Sequence, residues 1–216
     1  LGGSCDACTA GTGAPPMTVN IGGTDYKFYS AYFALDVTNP EVQPKLLWSF
    51  SDPALGLTTS VPAIVRVNPD ADAVSNTSAK WYMVAGSGMT GYGGTVSQSA
   101  KVFVVNLQTG ALMSPPFTVG SWDSFLGDMV TVDKNLDYRH DAIYFGRVID
   151  DGTPPWRGKL YRLTTAQSAP FGFATSPSAW GIASGSDRVP TEILDTFPSG
   201  ASPAYEMGPI TAAPGL

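Results

Sequence analysis

Asp133, Asn135 and Asp137 alternate along one short stretch and Asp141 follows four residues later. The run is Asp133-Lys134-Asn135-Leu136-Asp137-Tyr138-Arg139-His140-Asp141, with the spacing D-x-N-x-D-x-x-x-D. Calcium takes about 6–8 oxygen ligands, and alternate residues of a tightly turned loop can aim their oxygens at one centre. In that arrangement Asp133, Asn135 and Asp137 supply side-chain oxygens, Arg139 its backbone carbonyl, and Asp141 closes the shell. Three carboxylates crowded into one turn also repel one another when no cation is present. The EF-hand pattern does not apply, because it needs Gly at the sixth position and Glu at the twelfth. Tyr138 and Tyr144 stand there instead. Oxygen donors with a single imidazole nearby, His140, suit Ca2+ better than a softer metal. The same residues also fit a polar Asx-type turn that binds nothing.

Other chemistry is thinly supplied. Cys5 and Cys8 lie in a Gly/Ala/Thr-rich stretch; a zinc site normally needs four ligands, and c-type haem attachment needs His where Thr9 stands. A short-loop disulfide, free thiols or pairing to another segment, and a redox or metal role remain as readings of the pair. Gly86-Ser87-Gly88 lacks the G-x-S-x-G elbow of a serine hydrolase, and the one histidine sits inside the proposed metal loop. Asp150-Asp151 are adjacent on a Gly/Pro-rich stretch, which sets no glycosidase geometry. Asn76-Thr77-Ser78 fits a glycosylation acceptor or an ordinary loop. No catalytic residue is expected.

The elements that would hold the loop read as strands. With 24 Gly and 18 Pro in 216 residues, long helices would be interrupted while turns are well supplied. Ala31–Val37, Lys101–Leu107 and Gly158–Thr164 alternate apolar and polar residues as sheet strands do. After the first two come a turn and an apolar stretch, Leu46–Phe50 or Ala111–Met113, which reads as a hairpin. Before the second and third come pairs of further strands, Val61–Val65 with Trp81–Gly86, and Met129–Val132 with Ala142–Gly146. A four-strand antiparallel unit repeated along a chain is the signature of a β-propeller blade. The expected fold is therefore all-β, a partial propeller of four-stranded antiparallel blades with long loop insertions near 68–80, 90–100 and 166–190. Pro209–Pro214 reads as the opening strand of another blade. The loop 133–141 falls between the first two strands of the third unit and is similar to the nine-residue calcium loop of some β-propellers, including integrin-type repeats.

Charge narrows the partners. The excess of 18 Asp+Glu over 12 Lys+Arg argues against nucleic acid or an anionic membrane surface, both of which need a basic patch. No stretch approaches the roughly 20 apolar residues of a membrane span. The chain opens at Leu1 without a signal sequence, which reads as a mature or excised piece.

Tyr32–Pro40, Leu47–Gly56, Val61–Val65 followed by Lys80–Gly88, and Pro209–Pro214 resemble, in that order, the C-terminal propeller of the PilY/PilC family of type IV pilus biogenesis and tip adhesin proteins. The likeness runs from about Tyr29 to the end of the chain. Before it, 1–28 is a Gly/Ala/Thr-rich segment holding Cys5 and Cys8; 29–216 reads as a partial propeller of about two full blades plus parts of two others, too few to close a ring of about 4–8 blades, so the remaining blades are expected from missing sequence or another chain. The likeness implies a place at the pilus tip or outer-membrane-associated cell surface, and calcium at the 133–141 loop coupled to pilus extension and retraction or to adhesion. Minor pilins and a host or abiotic surface are the implied partners. One departure stands out: the family's acidic residue after Gly146 is Arg147 here. The alternatives are a quinoprotein dehydrogenase propeller fragment, suggested by the tryptophan in Leu46–Phe50, and a purely structural or adhesive filament component. Trp48 is more simply a packing residue, and Cys5 and Cys8 are not the adjacent half-cystines such an enzyme commonly uses.

Overall fold

A computed structural model describes residues 17–28, 30–67, 79–91, 95–150, 156–167, 172–173, 176–195 and 208–213. Cys5, Cys8, Asp151 and Asn76-Thr77-Ser78 lie outside them. Every sheet is antiparallel, and among the described residues the only helical piece is a single 3-10 turn, Pro177–Ala179.

The strands, in chain order, are β1 (Met17–Ile21), β2 (Thr24–Phe28), β3 (Tyr32–Asp36), β4 (Lys45–Phe50), β5 (Ala63–Val67), β6 (Lys80–Gly86) and β7 (Ser99–Asn106). They continue with β8 (Phe117–Val132), β9 (Ala142–Ile149), β10 (Arg157–Thr164), β11 (Ala166–Gln167), β12 (Gly172–Phe173), β13 (Ile182–Ser184), β14 (Asp187–Val189) and β15 (Thr191–Asp195). The largest sheet has the order β15-β10-β9-β8-β7-β6-β5. It is two four-stranded blades that share β8. Phe117, Thr118 and Val119 pair with Val102, Lys101 and Ala100 of β7. After an irregularity at Gly120 (φ +71°), residues Ser124 to Val132 pair with β9. The blades are thus β5-β6-β7 with the first part of β8, and the last part of β8 with β9-β10-β15.

Burial follows from strand alternation, since successive side chains point to opposite faces. Val65, Val84, Val102 and Val104 of the first blade pack against Leu126, Ile143, Phe145 and Leu163 of the second. The opposite face of the first blade, Met83, Ala85, Phe103 and Val105, receives Trp48 and Phe50 from the β3–β4 hairpin and Leu55 beyond it. The first blade is therefore buried on both faces, as a propeller requires. Each fully buried Val, Leu or Phe contributes roughly 1.5–3 kcal/mol. Phe50 meets Phe103 edge to face at 5.7 Å between centroids. Trp48 is buried and its indole N–H donates to the Leu107 carbonyl at 2.8 Å, the packing role expected of it.

Four expectations need correction. Ala111–Met113 meets β7 but is not a full strand: it makes one isolated bridge, Val105 to Leu112, flanked by the Asn106 N–H donating to the Ala111 carbonyl and the Met113 N–H to the Val104 carbonyl, and the blade's fourth strand begins only at Phe117. Ser114-Pro115-Pro116 intervenes, and proline has no N–H to give to the ladder. Residues 209–213 form no strand either. Gly208 to Thr211 instead crosses the outer face of the second blade over Gly127, Gly146 and Gly158, where a Cβ on any of the three would collide with its backbone. The 166–190 insertion carries the small hairpins β11–β12 and β13–β14, together with Trp180, which is fully buried against Tyr82. Leu46 and Leu47, read within the apolar stretch of a hairpin, do lie on β4, but their side chains are exposed.

Arg147 lies on the buried face of β9. Its Nε donates to the Ser124 hydroxyl at 3.0 Å, and that hydroxyl also accepts the Ala100 N–H at 3.1 Å. The guanidinium fills the space that a side chain at position 120 would need, so Gly120 is required both by its positive φ and by this contact.

Candidate functional site

The 133–141 segment links β8 to β9, as expected. Two residues other than glycine take positive φ there, Leu136 at 57° and Tyr138 at 65°. Such values are uncommon for bulky side chains; here the Asp133 carboxylate holds the turn. Its Oδ1 accepts the Asp137 N–H at 3.1 Å and its Oδ2 the Tyr138 N–H at 2.7 Å. Asp137 accepts the Arg139 N–H at 3.0 Å and the Asn135 amide at 3.1 Å. Asp141 accepts the Lys134 N–H at 2.9 Å and donates its own N–H to the Val132 carbonyl at 2.7 Å. All four oxygen-bearing residues named from the spacing thus belong to one hydrogen-bonded turn.

The side chain of Arg139 changes the electrostatics expected of the loop. It is buried, with a guanidinium nitrogen 3.9 Å from Asp137 Oδ2. Its charge therefore bears directly on the turn and offsets part of the carboxylate repulsion. Among the described residues, no group of three or more His, Cys, Asp or Glu side chains is gathered as a metal centre. The donor chemistry nevertheless suits a hard cation: a carboxylate offers about four lone-pair sites, and the two amides leave Asp133 with sites to spare. The turn carries the right oxygens without holding them in a finished shell.

The loop is fastened to both blades. On its own side, Thr165 donates its N–H to the Asp141 carbonyl at 3.0 Å and its hydroxyl to the His140 carbonyl at 2.5 Å. Across the blade boundary, the Arg66 N–H of β5 donates to His140 Nδ1 at 2.8 Å, and the His140 N–H returns a bond to the Arg66 carbonyl at 3.0 Å. Arg66 Nη1 donates to the Tyr138 carbonyl at 3.1 Å, and its guanidinium lies 5.8 Å from the centre of the Trp81 ring. An Nδ1 that accepts is unprotonated, so the imidazole is neutral. Burial pushes its pKa below the ordinary value, against the pull of the Asp133 carboxylate. Sequence reading named neither Arg66 nor Thr165. An outward-facing arginine near a strand end carries no local signal, and its partners lie 72 and 74 residues away.

Ser87, raised as a nucleophile only to be set aside, is fully buried and accepts the Lys101 N–H at 2.9 Å. A hydroxyl-rich cleft of about 400 Å³ is lined by Ser30, Gly56, Thr90, Thr95, Ser97 and Gln98 among others. Many of its polar groups already bond to one another or to nearby backbone.

No family model and no curated protein matches the chain. Among solved structures, the fold is similar to the crystal structure of the Pseudomonas aeruginosa PilY1 C-terminal domain, with a TM-score of 0.60 and 22% sequence identity. The match covers 94% of this chain and 40% of that one, so the chain spans well under half the length of the structure it resembles.

Proposed function

We propose that the chain is a calcium-binding propeller portion of a type IV pilus-associated protein at the bacterial cell surface, acting in pilus biogenesis or as part of a tip adhesin. The observation that carries this reading is the fold likeness to the PilY1 C-terminal domain across 94% of the chain, which supports the resemblance already present in the strand motifs. Calcium rests on the oxygen donors of Asp133, Asn135, Asp137 and Asp141 and on their place between β8 and β9. In this reading the metal pins or regulates a strand-to-strand turn. It does no Lewis-acid chemistry, because the donors come from one continuous turn and the one imidazole beside them is engaged by the Arg66 amide. The protein works by binding, and minor pilins are its partners.

Two measurements test it. A ligand that binds only the folded state raises the melting temperature, so millimolar calcium should shift the thermal transition upward; no shift removes calcium from the proposal. Capture of minor pilins by the immobilised chain, lost on adding a chelator, is the expected outcome for a biogenesis role. Binding to cells or matrix alone would instead favour an adhesive filament component.

A further inference from the structure

The geometry points to Arg66 as the residue through which the state of the 133–141 loop is passed to the neighbouring blade, with Trp81 as the side chain that registers it. This deepens the calcium reading and rests on it. The loop belongs to the second blade, yet three of its hydrogen bonds end on Arg66 of the first: the reciprocal pair with His140 and the guanidinium bond to the Tyr138 carbonyl. The three carboxylates are not gathered into a finished shell. In this reading a cation draws the oxygens of Asp133, Asp137 and Asp141 towards one centre, and Tyr138 and His140 lie between the last two. Tyr138 already sits at positive φ, a conformation that persists only while its surroundings hold it.

Any change in the Tyr138 peptide alters an acceptor of the Arg66 guanidinium. That group lies near the face of Trp81, which is 45% exposed on β6 and pairs directly with Arg66 across the sheet. Arginine suits the task because its planar fork can hold a carbonyl while its face meets an indole, which a lysine ammonium does only as a point charge. The arrangement is a contiguous chain of bonded groups from the loop into the adjoining sheet, the physical form that coupling between distant sites takes. Arg66 is thus a positioning residue, and occupancy of the loop would set how firmly the two blades are clasped at this edge.

The test uses the full chain and calcium alone, with calorimetric heat reporting binding and tryptophan emission reporting Trp81. Calcium should produce heat and an emission change in the unaltered protein, and Trp81→Phe should abolish the emission change while keeping the heat. Arg66→Lys should keep the heat and weaken the emission response roughly threefold or more. The thermal transition of Arg66→Lys is measured alongside to check folding, and Arg66→Gln provides a second replacement that keeps hydrogen-bond donors but loses the charge. An emission response of unchanged size in both Arg66 variants overturns the inference while leaving calcium binding intact, as does a response that survives Trp81→Phe. Absence of heat in the unaltered chain overturns the calcium reading and this inference with it.

Discussion

Asp133 accepts two backbone N–H groups of its own loop, so removing its carboxylate acts in two ways. Asp133→Ala should lower the stability of the calcium-free protein by roughly 1–2 kcal/mol, the net worth of two modest hydrogen bonds. It should also abolish the calcium-induced rise in melting temperature. Asp141→Ala frees only the Lys134 N–H and should cost about half as much while losing the same calcium response. Urea melts with and without calcium read both quantities; a calcium shift surviving in either variant would count against the loop as the site. The spacing of these residues was legible because a turn is local, and alternate oxygens in nine residues are visible without any fold. The bonds to Arg66 were not, because they join segments more than seventy residues apart. The buried position of Arg139 beside Asp137 also depends on how the blades pack and leaves no trace in the spacing.

Several strands were placed from sequence: β6, β9 and β10 cover the stretches read as strands, while β5, read as Val61–Val65, lies two residues further on at Ala63–Val67. The misplacements show that apolar character alone sets neither how far a strand extends nor whether it finds a partner edge. Ala111–Met113 looks like a strand, but the prolines after it delay the regular ladder until Phe117, and Pro209–Pro214 looks like one, yet its residues up to Thr211 lie across a sheet. The three glycines beneath that segment show why it fits. A Cβ on Gly146 would stand 2.1 Å from the Ile210 carbonyl oxygen, and backbone cannot give way as a flexible side chain would. Gly146→Val should therefore displace residues 208–211 and lower the unfolding free energy by roughly 1–3 kcal/mol, in the range of overpacked sites. Gly208, whose Cβ would meet nothing within 4 Å, is the matched control. Gly208→Ala should stay within about 0.5 kcal/mol in the same urea melts. Equal effects of the two substitutions would argue against the seating of this segment.

Packing buries several tyrosines wholly or in part, and this gives the whole molecule an alkaline limit. Burial raises the pKa of Tyr82 and of Tyr161, the latter opposed by Arg147, and likewise that of Tyr32. The folded protein therefore keeps protons that the unfolded chain releases near the ordinary tyrosine value of about 10. Stability is full below that pH and declines as pH rises through the raised values, since the unfolded state then binds fewer protons than the folded one. Tyr82→Phe should flatten part of that decline, measured as the melting temperature across an alkaline series; an unchanged slope would exclude Tyr82 as a contributor. At this scale the repeated blade was legible, since four-strand patterning recurs along the chain, but the joint between blades was not. β8 runs unbroken from one sheet into the next, with Ser124 and Leu126 donating their N–H groups back to Gln98 and Ser87 of the first blade while their own stretch pairs with β9. A strand held in common leaves no seam. Amide hydrogens of both blades should exchange with solvent as one unit, and a protease or a gene fusion that separates the chain near residue 121 would orphan hydrogen bonds on both sides of the cut. The natural module of this architecture is therefore an overlapping pair of blades, and a single blade excised at the repeat boundary would lack an edge it needs.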